Sequence, residues 1–263
     1  MEGTSPFTHI QFAVSNRVAY IVLNRPPMNV LTIKLMREIN NALDLISKMR
    51  PGEVCAVVFV AAPGSTAFSA GAAVEEHRPE IVYQMIQEFH NIYRNLNFLG
   101  KPVVGVVNGQ ALGGGCELVA FCDLVLAVPT AKFAQPEIRL GVYPPMAAIL
   151  LPKIIGVRRT AQMLLTGEVL DAQDAQRLGL INYIVAEDQL ATKTEELLNV
   201  LRNFSGPVLE ATRRAIHTAT HHDVEEIMEK LEDQYLNQLM NLHDTREGLE
   251  AFLNKRKPVW QHK

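Results

Sequence analysis

The chain has 263 residues, 48% of them hydrophobic, and its 25 basic and 28 acidic residues leave a net charge of −3. Charge this even gives no electrostatic basis for binding nucleic acid or a membrane surface, and no apolar stretch reaches membrane-spanning length. Cys55, Cys116 and Cys122 all lie in apolar runs, and Met1-Glu-Gly-Thr-Ser-Pro6 lacks the basic and apolar segments of a signal peptide, so reduced core thiols in a cytoplasmic protein are expected.

Ile10 to Val14 and Val18 to Leu23 read as two short strands around a turn at Ser15-Asn16-Arg17. After the loop Asn24 to Asn29, Thr32 is placed to cap a helix running to about Lys48, with Leu35, Ile39, Leu43 and Ile46 on one face. Val54 to Ala61 is apolar throughout, as a strand covered on both faces would be. Pro79 to Leu99 has helical spacing of Ile81, Met85, Phe89, Ile92 and Leu96, a core stripe. The connection leading into it, Glu75-Glu-His-Arg-Pro79, reads as an exposed loop with His77 at the surface, in preference to a functional role for that histidine.

Val103 to Val107 is a buried strand, and Leu124 to Val128 a later one. Between them lies Asn108-Gly-Gln-Ala-Leu-Gly-Gly-Gly-Cys-Glu117, followed by an apolar run to Phe121 that suits a short buried helix. Across Gly113, Gly114 and Gly115 a strand therefore turns into a helix. Glycine there permits positive φ and a close approach to the backbone, and the free N–H groups of the helix start favour an oxyanion. Glu117 falls in the first helical turn; Glu137 lies 20 positions on, after Pro136. Two acids beside a set of backbone donors suit acid/base chemistry next to a carbonyl.

Further on, Gly141-Val-Tyr-Pro-Pro-Met-Ala-Ala148 leads into an apolar helix expected to break at Pro152. Asp171 caps a helix ended by Gly179, and Asp188 to Arg202 forms another. Gly206-Pro207 divides residues 1–205 from a helical remainder, 206–263, with periodic segments at Val208 to Thr220, Val224 to Leu242 and Arg246 to Asn254. His217, His221 and His222 have no third ligand at metal spacing and read as surface residues; no metal site is expected.

Ala111-Leu-Gly-Gly-Gly-Cys-Glu117 and Phe133-Ala-Gln-Pro-Glu-Ile138 resemble the crotonase (enoyl-CoA hydratase/isomerase) superfamily, and the resemblance spans nearly the whole chain. It implies an α/β spiral fold of repeated ββα units with a C-terminal helical trimerisation region, assembled as a homotrimer or a homohexamer (a dimer of trimers). Leu231, Tyr235, Leu236 and Leu239 are the apolar tail positions expected to meet neighbouring subunits. It also implies an acyl-CoA thioester substrate, with coenzyme A part of the substrate and no separate cofactor.

Carried over residue by residue, the backbone amides of Ala72 and Gly114 form the oxyanion hole, while Glu117 and Glu137 handle water and the α-carbon proton. Phe68-Ser-Ala-Gly-Ala-Ala-Val74 departs from the family pattern in having Ala73 where aspartate is usual, which leaves the amide donors intact. Where ordinary members carry a glycine-rich run, this chain has Tyr143, Pro144, Pro145 and Met146; Tyr143, Pro145 and Met146 are assigned to the acyl pocket. That version looks like the ring-acting dienoyl-CoA hydratases of anaerobic aromatic degradation, whose substrate is cyclohexa-1,5-diene-1-carbonyl-CoA. Lys255, in a segment similar to the family's terminal motif, is the candidate for a CoA phosphate. Both acids are kept, which favours a hydro-lyase over the alternative of a double-bond isomerase. A non-catalytic binding protein of the same fold is the remaining alternative.

Overall fold

The computed structural model describes residues 7–221 and 223–263, so the readings made on Met1 to Pro6 and on His222 lie outside the described residues. Strands β1 (Ile10–Ser15) and β2 (Val18–Leu23) pair as an antiparallel hairpin. Helix α1 (Ile33–Ser47) starts where Thr32 Oγ1 accepts from the Leu35 N–H at 3.3 Å. β3 (Ala56–Ala61), β4 (Ala67–Ser69) and α2 (Val82–Leu99) follow, and then β5 (Val103–Val107), β6 (Gln110–Leu112) and α3 (Gly114–Ala120). β7 (Leu124–Ala127) and β8 (Lys132–Ala134) lead to a 3₁₀ turn at Pro136–Leu140, then α4 (Pro145–Ile154) and α5 (Val157–Thr166). β9 (Val169–Asp171), α6 (Ala172–Leu178), β10 (Tyr183–Ile184) and α7 (Leu190–Arg202) close the sheets, and α8 (Gly206–His221), α9 (Val224–Asn237) and α10 (His243–Leu253) form the tail.

The strands β3 to β8 come in pairs. The first of each pair joins the sheet ordered β1-β2-β3-β5-β7-β10 and the second joins the sheet ordered β4-β6-β8-β9, whereas the last two strands, β9 and β10, take the sheets in the reverse order with α6 between them. Pairing is parallel except at β1/β2 and β8/β9. From β3 to β8 each turn of chain thus lays one strand on each sheet before a helix crosses back, which is the spiral of ββα units the resemblance implies. β5 is buried along its whole length, so its sequence is an unbroken apolar run rather than an alternating one. No helix among the described residues is long and apolar enough to cross a membrane.

Four expectations change. Pro152 does not break α4, which runs on to Ile154. The proline stands in the last turn, where the carbonyl it deprives of a donor belongs to half-buried Ala148, and the Ile155 N–H still closes on Leu151 O at 2.8 Å. The segment from Val224 ends as an α-helix at Asn237 and finishes in a 3₁₀ turn, Leu239–Asn241.

The third change concerns Tyr235. It is 2% exposed within this single chain because α9 folds back over α4, while Leu231, Leu236 and Leu239 are half-buried at the edge of the same core and keep exposed surface. The tail is also tied to the spiral by polar contacts. Arg213 Nε donates to Asp123 Oδ2 at 2.6 Å, and Thr245 Oγ1 donates to Gly141 O at 2.9 Å beside the turn that carries Glu137. His217 is half-buried rather than free at the surface: its Nε2 sits 3.1 Å from Asp123 Oδ1, and its ring stacks on that of His221 at 4.7 Å.

Thr32 and Asp171 are side-chain caps on separate helices, the latter accepting from the Asp174 N–H at 2.8 Å. Thr32→Ala and Asp171→Ala should each lower the free energy of unfolding by about 1 kcal/mol, and the double variant by about the sum. Urea midpoints that fall with an unchanged slope would show it; a strongly non-additive double variant would mean the caps are not independent.

Candidate active site

The site is built where β8 passes beneath the start of α3. The Gly113 N–H donates to Ala134 O at 2.9 Å, which places Gln135-Pro136-Glu137 directly under the glycine run. Gly113 has φ +52°, and a Cβ there would collide with Glu137 Oε1. At Gly115 a Cβ would collide with Ser69 O and stand 2.8 Å from Ser69 Cβ, so β4 and α3 touch only because the side chain is absent. The glycines are therefore there for two close approaches: a carboxylate from one side and a strand end from the other.

The amides of Ala72 and Gly114 face each other across this junction. Leu31 forms a parallel bridge to Ala72, donating to Gly71 O (2.8 Å) and accepting from the Ala73 N–H (3.1 Å). Both of those bonds engage the neighbours of Ala72, so its own N–H is turned the other way, toward Gly114. A Cβ built on Gly114 would lie 3.3 Å from Ala72 N. Gly114 is the first residue of α3, where an N–H has no partner within the helix. Among the described residues neither amide donates a backbone hydrogen bond.

The two carboxylates differ in their surroundings. Glu117, 5% exposed, has Oε1 accepting from the Ala147 N–H at 2.8 Å, and the Met146 amide also serves it. These are N–H groups of the first turn of α4, whose preceding residue, Pro144, offers no side-chain cap. Glu117 thus caps that helix from outside, and Pro145 fits the first position, which needs no N–H. Glu137 is half-buried as a residue, yet its Oε2 is sealed from solvent and without a partner among the described residues. Burial raises the pKa of both acids; for Glu137 the neighbouring Glu117 charge raises it further, while the two amides pull Glu117 back down. Glu137 has only its own backbone amide to offset burial, so the two α4 amides favour ionisation of Glu117 over that of Glu137.

A small cavity of about 40 Å³ lies against these groups, lined by Ala72, Gly114, Glu117 and Glu137, by Tyr143, Pro144 and Pro145, and by the α2 and α9 side chains Phe89, His90 and Tyr235 among others. Tyr143 OH donates to Leu231 O at 3.0 Å, and its ring meets that of Tyr235 edge-on at 5.4 Å. Of the pocket residues expected from sequence, Tyr143 and Pro145 are in the wall. Met146 is not: it is fully buried in the core, because the helical turn that aims its amide at Glu117 carries its side chain away from the cavity. His77 is likewise not a surface residue. It is 6% exposed, its Nδ1 lies 3.0 Å from Ala73 O, and it lines the cavity, since the segment expected to be a loop coils into a 3₁₀ turn, Val74–His77, under α2. Lys255 is exposed, just past the end of α10, and does not line this cavity. His90 went unnoticed in the sequence, and Tyr235 was expected at a subunit contact rather than in the site. The one local sign for His90 is a histidine on the Ile86–Tyr93 seam of an otherwise apolar helix face.

Comparison with known proteins agrees with this geometry. The model for the family Enoyl-CoA hydratase/isomerase matches residues 13–263. A probable enoyl-CoA hydratase of Rhizobium meliloti is 35% identical over 250 residues, covering 94% of this chain and 95% of the relative. A cyclohexa-1,5-dienecarbonyl-CoA hydratase of Thauera aromatica is 34% identical, with 92% of each chain covered. Among solved structures, an enoyl-CoA hydratase from Mycobacterium avium subsp. paratuberculosis superposes with a TM-score of 0.86 at 28% identity, over 97% of this chain and all of that one.

The raised pKa of Glu137 has a consequence for stability. A group whose pKa is higher in the folded state favours folding while it is protonated, and that contribution is lost as pH rises through the folded value. Glu137→Gln is neutral in both states, so its melting temperature relative to the unsubstituted protein should increase from acidic to mildly alkaline buffer. Turnover of the same variant, and of Glu117→Gln, should fall by at least about 100-fold. Parallel melting curves at every pH would show that the Glu137 carboxyl is not held neutral by its surroundings.

Proposed function

This chain belongs to the enoyl-CoA hydratase/isomerase family and is a hydro-lyase of the enoyl-CoA hydratase type, and we propose that it hydrates a compact cyclic α,β-unsaturated acyl-CoA, with cyclohexa-1,5-diene-1-carbonyl-CoA as the parent ring. The thioester oxygen accepts from the N–H groups of Ala72 and Gly114. Glu117, held ionised by the α4 amides, takes a proton from water as the water oxygen bonds to the β-carbon. The alkene electron pair moves onto the thioester as an enolate, where each fixed donor contributes about 3 kcal/mol. Glu137, which carries a proton, delivers it to the α-carbon. The net addition is one H and one OH, and the proton taken up by Glu117 restores the starting charge once it passes to Glu137. No cofactor beyond the substrate's own coenzyme A is needed.

The observation that carries the ring preference is the wall formed by Tyr143, Pro144 and Pro145 beside the two acids. Two successive prolines fix the backbone where glycines would let it yield, and the Tyr143 and Tyr235 rings fill the space a linear tail would take. The Thauera aromatica relative, by its name, acts on such a ring. Lys255 is assigned to a CoA phosphate as an exposed, cationic end of the tail. The chain is further read as a trimer or hexamer whose contacts come from apolar residues left exposed here, among them Phe98, Leu165, Phe204 and Ile216, and the unpaired state of all three cysteines suits the cytoplasm. A stable monomer in sedimentation would remove the oligomer assignment.

The kcat/KM for cyclohexa-1,5-diene-1-carbonyl-CoA should exceed that for crotonyl-CoA, by up to about two orders of magnitude if the wall contributes 1–3 kcal/mol. Pro145→Gly should narrow that ratio, chiefly by improving the linear substrate. Equal hydration of both thioesters by the unsubstituted enzyme would leave the hydratase activity standing and remove the ring selectivity.

A further inference from the structure

The cavity contains a second set of polar groups that hydration does not use. His90, on α2 and 1% exposed, has Nδ1 2.5 Å from Glu232 Oε1 on α9. Glu232 also accepts from Gln87 Nε2 at 2.7 Å and from Arg94 Nη2 at 3.5 Å. Burial opposes its ionisation, but these bonds and the Arg94 charge keep its pKa below the usual carboxylate range. A carboxylate can only accept, so the hydrogen of the imidazole sits on Nδ1. Burial lowers the pKa of His90, which leaves the ring neutral and Nε2 a bare lone pair. That nitrogen has no partner among the described residues, and the ring lines the cavity. His77 repeats the arrangement: its Nδ1 faces a carbonyl, which also only accepts, and its ring lines the same space.

An acyl cavity with two imidazole acceptors is poorly matched to a plain hydrocarbon, which has no hydrogen to donate. We infer that the preferred acyl group carries a hydroxyl remote from the thioester, and that His90, positioned by Glu232, is the specificity-determining acceptor for it. The substrate class is then a compact, hydroxylated α,β-unsaturated acyl-CoA. The inference rests on the hydratase reading of the same cavity and narrows it.

The test uses saturated thioesters, which bind without turning over. By calorimetry the full-length protein should bind 3- or 4-hydroxycyclohexanecarbonyl-CoA at least about 10-fold more tightly than cyclohexanecarbonyl-CoA, since a site built around a hydrogen bond rejects the analogue that lacks it. His90→Phe keeps the ring volume and should abolish that difference while binding the unsubstituted ring at least as well. Glu232→Gln presents an amide that can donate as well as accept, so the hydrogen can move to Nε2. The hydroxyl preference should then fall, and the 4-oxo ring should gain at least about threefold, an exchange of donor for acceptor that a merely structural role would not produce. Equal affinities in the unsubstituted protein, or an equal loss for both ligands in His90→Phe, would overturn the inference and leave His90 serving water or packing alone. If His90→Phe does not fold, Glu232→Gln decides. Hydration of cyclohexa-1,5-diene-1-carbonyl-CoA, measured separately, distinguishes failure of this inference from failure of the hydratase reading.

Discussion

The close approach of three backbone segments at Gly113 and Gly115 is the constraint on which the site depends. A side chain at Gly113 would occupy the position of the Glu137 carboxylate, and one at Gly115 would push Ser69 and the end of β4 away from α3. Either displacement moves Ala72 relative to Gly114, since Ala72 follows β4 in the chain and Gly114 lies between the two glycines. The Ala72 and Gly114 amides and the Glu137 carboxylate are thus set by the same contact. Three adjacent strands of the smaller sheet converge here: β6 runs into the glycine turn, and its neighbours β4 and β8 supply Ser69 and the strand that leads to Glu137. The fold and the site share one set of steric requirements.

Given that geometry, the chemistry follows from a difference in hydrogen bonding between two otherwise similar acids. Each is buried enough that its charge is disfavoured, and together they repel. Glu117 receives the first-turn amides of α4 and the positive end of that helix; the sealed oxygen of Glu137 receives nothing from the described residues. The asymmetry makes Glu117 the more readily ionised of the two, and the proposed roles of base and acid rest on that difference. It also explains a role for Met146 that its side chain does not suggest. Its contribution to the site is its amide, directed at Glu117, while its side chain anchors α4 in the core.

Much of this was legible in the sequence, because strong local signals and tertiary demand coincide. Thr32 and Asp171 cap the helices their positions predict, Gly179 ends one in the left-handed region, and the apolar runs of β3 and β5 are central strands. Glu117 and Glu137 could be paired because each sits beside a glycine or proline with a specific backbone task. What could not be read depends on contacts between distant segments. His90 and Glu232 are 142 positions apart, and neither has a local pattern that anticipates the other. Tyr235 belongs to an amphipathic helix whose apolar face suits a subunit interface or its own core equally well, and periodicity does not choose between them. His77 was misplaced for a related reason: Glu75-Glu-His-Arg is polar enough for a loop, yet burial beneath α2 is decided by the packing of α2 and not by composition.

The size of the cavity adds a last constraint. At about 40 Å³ the unfilled space beside the two acids is small, and the wall around it is held in different ways. The glycine turn, β8 and α4 are fixed by the main-chain bonds and core contacts that build the spiral. The α9 side is secured by Glu232 to His90, Gln87 and Arg94, by Arg94 to Glu225, and by Tyr143 to Leu231 O. It is also secured by core packing, through Met228 and Tyr235. Exchanging the polar contacts for water has a modest net cost, whereas exposing those two side chains does not, so α9 belongs to the core as much as to the site, and the carboxylate that fixes the His90 tautomer lies on it.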